Sequence, residues 1–405
     1  MIKNNLNFFN NIQKKNLDSK SIKKFTKLFP KIFSKVFTDI NSPKKTINTL
    51  NKKFNFNFEF KDLEKFKSFK TIAIIGMGGS ILGSEAVSHF LKEKINKKIY
   101  FFNDLNIEKI QNFKKKKNLN KILFFVISKS GNTVETLSNF FTLKIIKKNS
   151  KNIIIISEKK NNLLYSLSKK FNLFYVEHKN YIGGRYSVLS EVGIVPAYLM
   201  GININKLRSG TLKSLKKKTQ LFLKDSTIML SSLLSFKKIN NLIFLNYCPE
   251  LEKFLFWCQQ LIAESLGKNG KGFLPTISNA PKDHHSLLQL YLDGPKNKLF
   301  YIFSHDESSK EKINIKEILK EKNFLNNKTL SSIKKAQKNA LIKTLKNKNI
   351  PFREFKIKNI NEEVLGELFS YFILETVIIG KLTNINPFDQ PAVEQVKIYT
   401  RDLLN

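Results

Sequence analysis

Apolar residues along this chain fall into two rhythms. Over residues 1–68 the chain is rich in Lys, Asn and Phe, poor in Gly, and spaced like helix, which predicts an N-terminal helical extension. From Thr71 the rhythm changes to short apolar runs: TIAIIG (71–76), KIYFFND (98–104), KILFFVIS (121–128) and NIIIIS (152–157). Amphipathic stretches such as SILGSEAVSHFLKEK (80–94) lie between them. Uninterrupted apolar strands alternating with helices predict a parallel sheet covered on both faces. After Gly201 the pattern restarts, with strands at NLIFLNY (241–247) and KLFYIFS (298–304) and a helix at LEKFLFWCQQLIAES (251–265). The tail opens on the turn-forming NPFDQP, and Pro391 suits the first turn of a helix running to about Leu403. The expected organisation is a helical extension (1–68), a first α/β subdomain (69–204), a second (205–380) and a helical tail (381–405). Neither a close repeat nor a low-complexity linker interrupts it.

Length and composition narrow the class. A chain of 405 residues with 41% hydrophobic content is long enough for two ordinary domains with real cores. The formal charge of +39 raises the question of nucleic acid. The lysines are diffuse, though, and Lys, Asn, Ile and Phe are all abundant, as AT-rich coding favours. No nucleic-acid partner is therefore expected, although a positive field would attract a small phosphorylated substrate. Cys248 and Cys258 have neither C-x-x-C spacing nor a histidine pattern, so no disulfide framework or zinc site is expected. The N-terminus lacks the apolar core of a signal peptide. LFSYFILETVIIG (368–380) is too short to span a bilayer and contains Glu375. A cytoplasmic protein without a membrane partner is the expectation.

Two segments following strands carry candidate binding chemistry. In IGMGGSILGSEA (75–86), Gly76, Gly78, Gly79 and Ser80 stand between a strand and a helix, where backbone N–H groups and the helix dipole favour an anion. It is not a Walker loop, because no Gly-Lys-Ser/Thr follows. Alone it is equally a tight turn, or a dinucleotide turn with Asp104 as ribose ligand. In SKSGNTVETL (128–137), Ser128, Ser130, Thr133 and Thr136 gather hydroxyls beside the amides around Gly131. That is a neutral phosphate cradle at the edge where open α/β sheets bind ligands. It is also a plausible helix cap, with Ser130 or Asn132 at the N-cap and Glu135 in the first turn. A pyrophosphate cofactor has no use for this second hydroxyl-rich loop, so a monophosphate is favoured.

Taken with GGRYSVLS, ES-x-G-K-x-G-K-G, DHHS and PFDQPAVEQVK, the segments GMGGSILG and SKSGNT-x-ET resemble, in order and over residues 70–400, the phosphoglucose isomerase family. The resemblance implies two doubly wound, flavodoxin-like sugar-isomerase (SIS) subdomains. It implies interconversion of glucose 6-phosphate and fructose 6-phosphate through a cis-enediol, without metal or redox cofactor. Glu264 aligns with the family's base. It lies in the last turn of a helix ended by Gly267, where the macrodipole disfavours a carboxylate, which suits a group that must take up a proton. Arg185 would stabilise charge developing at C1–C2. It could equally be a surface arginine paired with Glu191 or Glu177. His285 matches the ring-opening histidine, with its register fixed by Asp283 and Ser286 beside the adjacent His284. In the family it enters from a neighbouring subunit, which implies a homodimer. Lys397 matches the family's C-terminal lysine, although an ion pair with Glu394 would explain it as well. Gly79, Ser80, Ser128, Lys129, Ser130, Thr133, Thr136, Gln260 and Gln390 complete the substrate contacts. Val396 departs from the small residue, often glycine, that the family has before the lysine, and the chain is short for the family.

Overall fold

The computed structural model describes residues 6–211, 213–236, 238–307, 309–315 and 323–405. Its ten strands are β1 (Leu6–Asn11), β2 (Thr71–Gly76), β3 (Lys98–Phe102), β4 (Ile122–Ile127), β5 (Ile153–Ser157), β6 (Phe174–Glu177), β7 (Asn241–Asn246), β8 (Leu274–Asn279), β9 (Lys298–His305) and β10 (Phe352–Ile357). They form two five-stranded sheets, in the orders β3-β2-β4-β5-β6 and β1-β10-β9-β7-β8. The first is wholly parallel. Winding proceeds outward in both directions from between β2 and β4, so the crevice of an open α/β sheet falls there. The register sets Gly76 opposite Ile127, so both strands end level and the two candidate phosphate loops leave the sheet side by side.

The second sheet repeats this winding from between β7 and β9, with a different edge. The helical reading of residues 1–68 needs correction here. Leu6–Asn11 is a strand running antiparallel to β10. Only then does the expected helix, Ser19–Asn41, begin, with Asp18 accepting from the Ser21 amide at 2.8 Å. LNFFNN reads as a strand through its sheet partner, where Phe8 stacks on Tyr371 and meets Phe355 edge-on. Three further strands were missed in the apolar pattern. FYVE is short, LPTISN carries Pro275, and FREFKI alternates with charge.

The charge in FREFKI is the surprise. Arg353 is fully buried. Its guanidinium donates to Glu375 at 2.7 Å, to Tyr301 at 2.6 Å and to Tyr371. Ser226 donates to the same carboxylate. Glu375 sits on the Glu362–Leu382 helix, which is buried on nearly every face and sealed between the halves. One apolar cluster joins Ile72, Ile74 and Phe125 of the first sheet to Phe244 and Tyr301 of the second through this helix and the Glu252–Leu266 helix. The outer faces are covered separately. Among the described residues, no helix is long and apolar enough to cross a membrane.

Candidate active site

Both helices that follow the paired loops begin without a side-chain cap: Leu82–Phe90 after Ile81, and Val134–Leu143 after Thr133. In the same sheet, Asn106 and Asn162 do cap the helices Ile107–Lys116 and Leu163–Lys170. An uncapped start leaves N–H donors free for an anion. Thr133, rather than Ser130 or Asn132, occupies the cap position, and its Oγ1 lies 2.8 Å from Ser128 Oγ. Ser130 Oγ lies 3.5 Å from each of these hydroxyls, closing a triangle. Gly131 at the turn has φ +71°, and a Cβ there would lie 1.8 Å from Asn162 Oδ1. Thr136 Oγ1 is buried with no partner among the described residues. Ser80 lies in the one-turn helix Gly78–Ser80. Lys129 turns aside, donating to the Asn180 carbonyl at 2.8 Å and reaching Glu158 at 3.7 Å, and burial holds its ammonium below the usual lysine range.

The reactive end is built on Arg185, also buried. Nε donates to Ser265 Oγ at 2.8 Å. Nη1 donates to Glu264 at 3.1 Å and to Gln390 Oε1 at 2.8 Å. Nη2 donates to the carbonyls of Pro387 at 2.7 Å and Asp389 at 2.9 Å. All five guanidinium donors are therefore satisfied. Arg185 pairs with Glu264, not with Glu177 or Glu191. Gln260 Nε2 donates to the other Glu264 oxygen at 2.9 Å, while its own Oε1 is buried with no partner among the described residues. The Glu264 side chain stays 30% exposed beside the 2% of Arg185, so a substrate can reach the carboxylate and not the cation.

Gly79 joins the two ends. A Cβ there would lie 2.1 Å from the Gly184 carbonyl carbon and 2.6 Å from the Arg185 amide. The phosphate turn is thus seated directly on the backbone that carries the arginine. Residues the sequence did not single out complete the frame. Tyr186 is buried and donates to the Pro387 carbonyl at 2.8 Å, and Ser265 lies 2.8 Å from its hydroxyl. Their only signal is adjacency to Arg185 and Glu264.

Two predicted residues are not brought here. Lys397 sits on the Glu394–Asp402 helix, which buries none of its residues, and contacts Glu394 at 2.6 Å. His285 is exposed, while His284 is held by Tyr247 OH at 2.7 Å. The same chain does not bring His285 to Glu264. Asn279, at the end of β8 just before the histidines, donates to Glu252 at 2.8 Å, and Glu252 starts the helix whose last turn carries Glu264. Twelve helical residues separate the two ends by about 18 Å.

A hydroxyl cradle at the switch point of a parallel sheet, with a carboxylate on the Glu252–Leu266 helix paired to a guanidinium from Gly184–Leu189, suits the chemistry of a sugar-phosphate isomerase. The family model for phosphoglucose isomerase matches residues 33–405. A glucose-6-phosphate isomerase of Methanocaldococcus jannaschii is 33% identical over 351 residues, covering 83% of this chain and 86% of the relative. One of Campylobacter jejuni is 30% identical over 350 residues, covering 83% and 86%. In fold, the chain matches a hypothetical protein of Thermus thermophilus (TM-score 0.83, 23% identity, 98% and 99% covered). It also matches a glucose-6-phosphate isomerase of Chlamydia trachomatis (TM-score 0.78, 15% identity, 99% and 88% covered). The chain belongs to the phosphoglucose isomerase family.

Proposed function

We infer that this chain interconverts glucose 6-phosphate and fructose 6-phosphate. The observation that carries the reading is Glu264, held by Arg185 and Gln260 yet open on one side, with the Arg185 backbone packed on Gly79 of the turn that leaves the sheet beside the hydroxyl cradle. Ser80, Ser128, Ser130, Thr133 and Thr136, with the free amides of two helix starts, take the phosphate. Binding that remote group orients the sugar and turns proton transfer into a nearly unimolecular step. Glu264 removes the proton from C2 of the open-chain aldose and returns it to C1 while the O2 hydroxyl proton passes to O1, leaving the carbonyl at C2, and the reverse reaction exchanges the two carbons. In between, negative charge on the cis-enediolate oxygens is met by the fixed charge of Arg185. Hydrogen moves within one substrate, so the chemistry calls for neither a metal nor a redox cofactor.

Ring opening is assigned to His285 and Lys397, and the working unit is a homodimer in the cytoplasm. The strand end that leads to His285 is tied to Glu252, at the far end of the helix that carries Glu264, which supports a histidine supplied by a second copy. So does the tail helix, which leaves Val396, Tyr399 and Leu403 exposed on the single chain.

The activity is tested with purified protein, fructose 6-phosphate and EDTA. Glucose 6-phosphate should accumulate, and a folded chain that fails to turn over would overturn the reading. The shared site is tested by refolding Glu264→Gln and His285→Ala chains together. Half the dimers are then mixed and hold one intact site each, so about a quarter of wild-type activity returns. No recovery would place both residues in one chain's site.

A further inference from the structure

At the amino ends of β7, β9 and β10, on the side of the second sheet covered by the Leu330–Asn347 helix, lies a cleft of about 330 Å³. Five lysines from separate parts of the chain line it: Lys15, Lys238, Lys296, Lys298 and Lys348. No Asp or Glu lines it, and among the described residues none of the five forms an ion pair. A chain with 71 basic and 32 acidic residues must have surplus lysines somewhere, so the count alone decides little. Two further observations do.

First, in the lysine-rich cleft at the opposite, carboxyl ends of the same strands, three of the four lysines have acidic partners. Lys334 pairs with Glu307 at 2.7 Å, Lys338 with Glu354 at 2.6 Å and Lys356 with Asp306 at 3.3 Å. Coding bias acts on both clefts and leaves only one uncompensated.

Second, the unbalanced cleft is walled by buried donors that are not fully satisfied. The Asn16 side-chain nitrogen is buried and has no acceptor among the described residues. Lys298 is only 9% exposed. Its ammonium reaches the Pro295 carbonyl at 2.8 Å and Asn297 Oδ1 at 3.2 Å, which leaves one of its three hydrogens unused. Burial, and then Lys296, hold Lys298 below the usual lysine range. Neutral partners do not offset the cost of a buried cation, whereas an anion would.

We propose that this cleft is a second anion site, for a compact polyphosphate or multiply phosphorylated metabolite, separate from the sugar-phosphate cradle. The five ammonium groups call for a ligand carrying several negative charges. The size of the cleft suits a di- or triphosphate better than an extended polymer.

The experiment titrates full-length protein with inorganic tripolyphosphate in a calorimeter at physiological salt. A Ser128→Ala/Thr133→Ala variant removes competition from the cradle and should still bind one tripolyphosphate per chain. Lys298→Met in that background should abolish the heat. Because Lys298 is buried, the exposed pair Lys15→Gln/Lys348→Gln provides an independent arm, expected to weaken binding by roughly tenfold or more with folding intact. The proposal is overturned if the cradle variant releases no heat. It is overturned equally if affinity survives Lys15→Gln/Lys348→Gln unchanged, or if several tripolyphosphates bind per chain regardless of these lysines, as diffuse surface charge would dictate.

Discussion

Two buried arginines, one in each half, are treated in opposite ways. Arg353 in β10 is sealed with Glu375, and both side chains are almost wholly excluded from water. Arg185 is as deeply buried, but its carboxylate partner Glu264 is left partly open. The core pair closes on itself through Tyr301, Tyr371 and Ser226, even leaving Arg353 Nε without a partner among the described residues. The site pair spends all five donors of its arginine and leaves the carboxylate accessible. The two buried ion pairs thus differ in the accessibility of a single partner rather than in the presence of charge.

The contrast is tested first by removing each carboxylate. Glu264→Gln should lower kcat by about 10²–10⁴-fold with a smaller loss of urea stability, since Arg185 keeps four other acceptors and the exposed side of residue 264 admits water. Glu375→Gln should do the reverse, costing on the order of 3–5 kcal/mol of stability because it leaves a buried guanidinium uncompensated. Activity per folded molecule should be retained. If both variants lost mainly stability, Glu264 would be a structural partner and the base would lie elsewhere.

Gly79→Ala probes the joint between cradle and arginine. A Cβ set against the Gly184 and Arg185 backbone cannot be relieved by a side-chain rotation. About a hundredfold loss in kcat/KM is expected from sub-ångström displacement of Arg185. Thr133→Val is milder: it breaks the hydroxyl triangle without touching Glu264, and should raise KM about tenfold with kcat nearly preserved.

The smallest effect concerns pH. His178 is buried beside the cradle, and burial pushes it down to about 4 from its usual 6.5. Below pH 6.5 the unfolded chain takes up a proton that the folded chain refuses. Stability is therefore undiminished above pH 6.5 and lost as pH falls toward 4. Urea titrations at pH 7.5 and 5 should show this loss, and His178→Gln should reduce it.

What could be read in the sequence follows from how local each feature is. β2, β4, β5, β7 and β9 are central or near-central strands buried on both faces, so their apolar runs stand out unaided. β1 and β10 are defined by their pairing, and Arg353 hides β10 because its charge is neutralised by a residue twenty-two positions away. The cradle was legible because its hydroxyls lie within nine residues, Ser128 to Thr136, at a strand end. Arg185, Glu264, Gln260 and Gln390 come from three distant segments, and only the family resemblance gathered them before the fold did. His285 and Lys397 show the boundary of what one folded chain explains.

The saturation of Arg185 has a consequence for which way round a substrate can lie. A sugar phosphate has one strongly anionic end, and a buried cation with spare donors would compete for it. Arg185 has none to offer, since Ser265, Glu264, Gln390 and two backbone carbonyls already take them all. Glu264 stands in front of it and repels a phosphate. With the roles proposed above, only the hydroxyl-and-amide end attracts the anion, and backward binding is disfavoured before any chemistry begins. The enzyme's polarity toward its substrate is thus set as much by the donors that Arg185 withholds as by those that Ser128, Ser130 and Thr133 present.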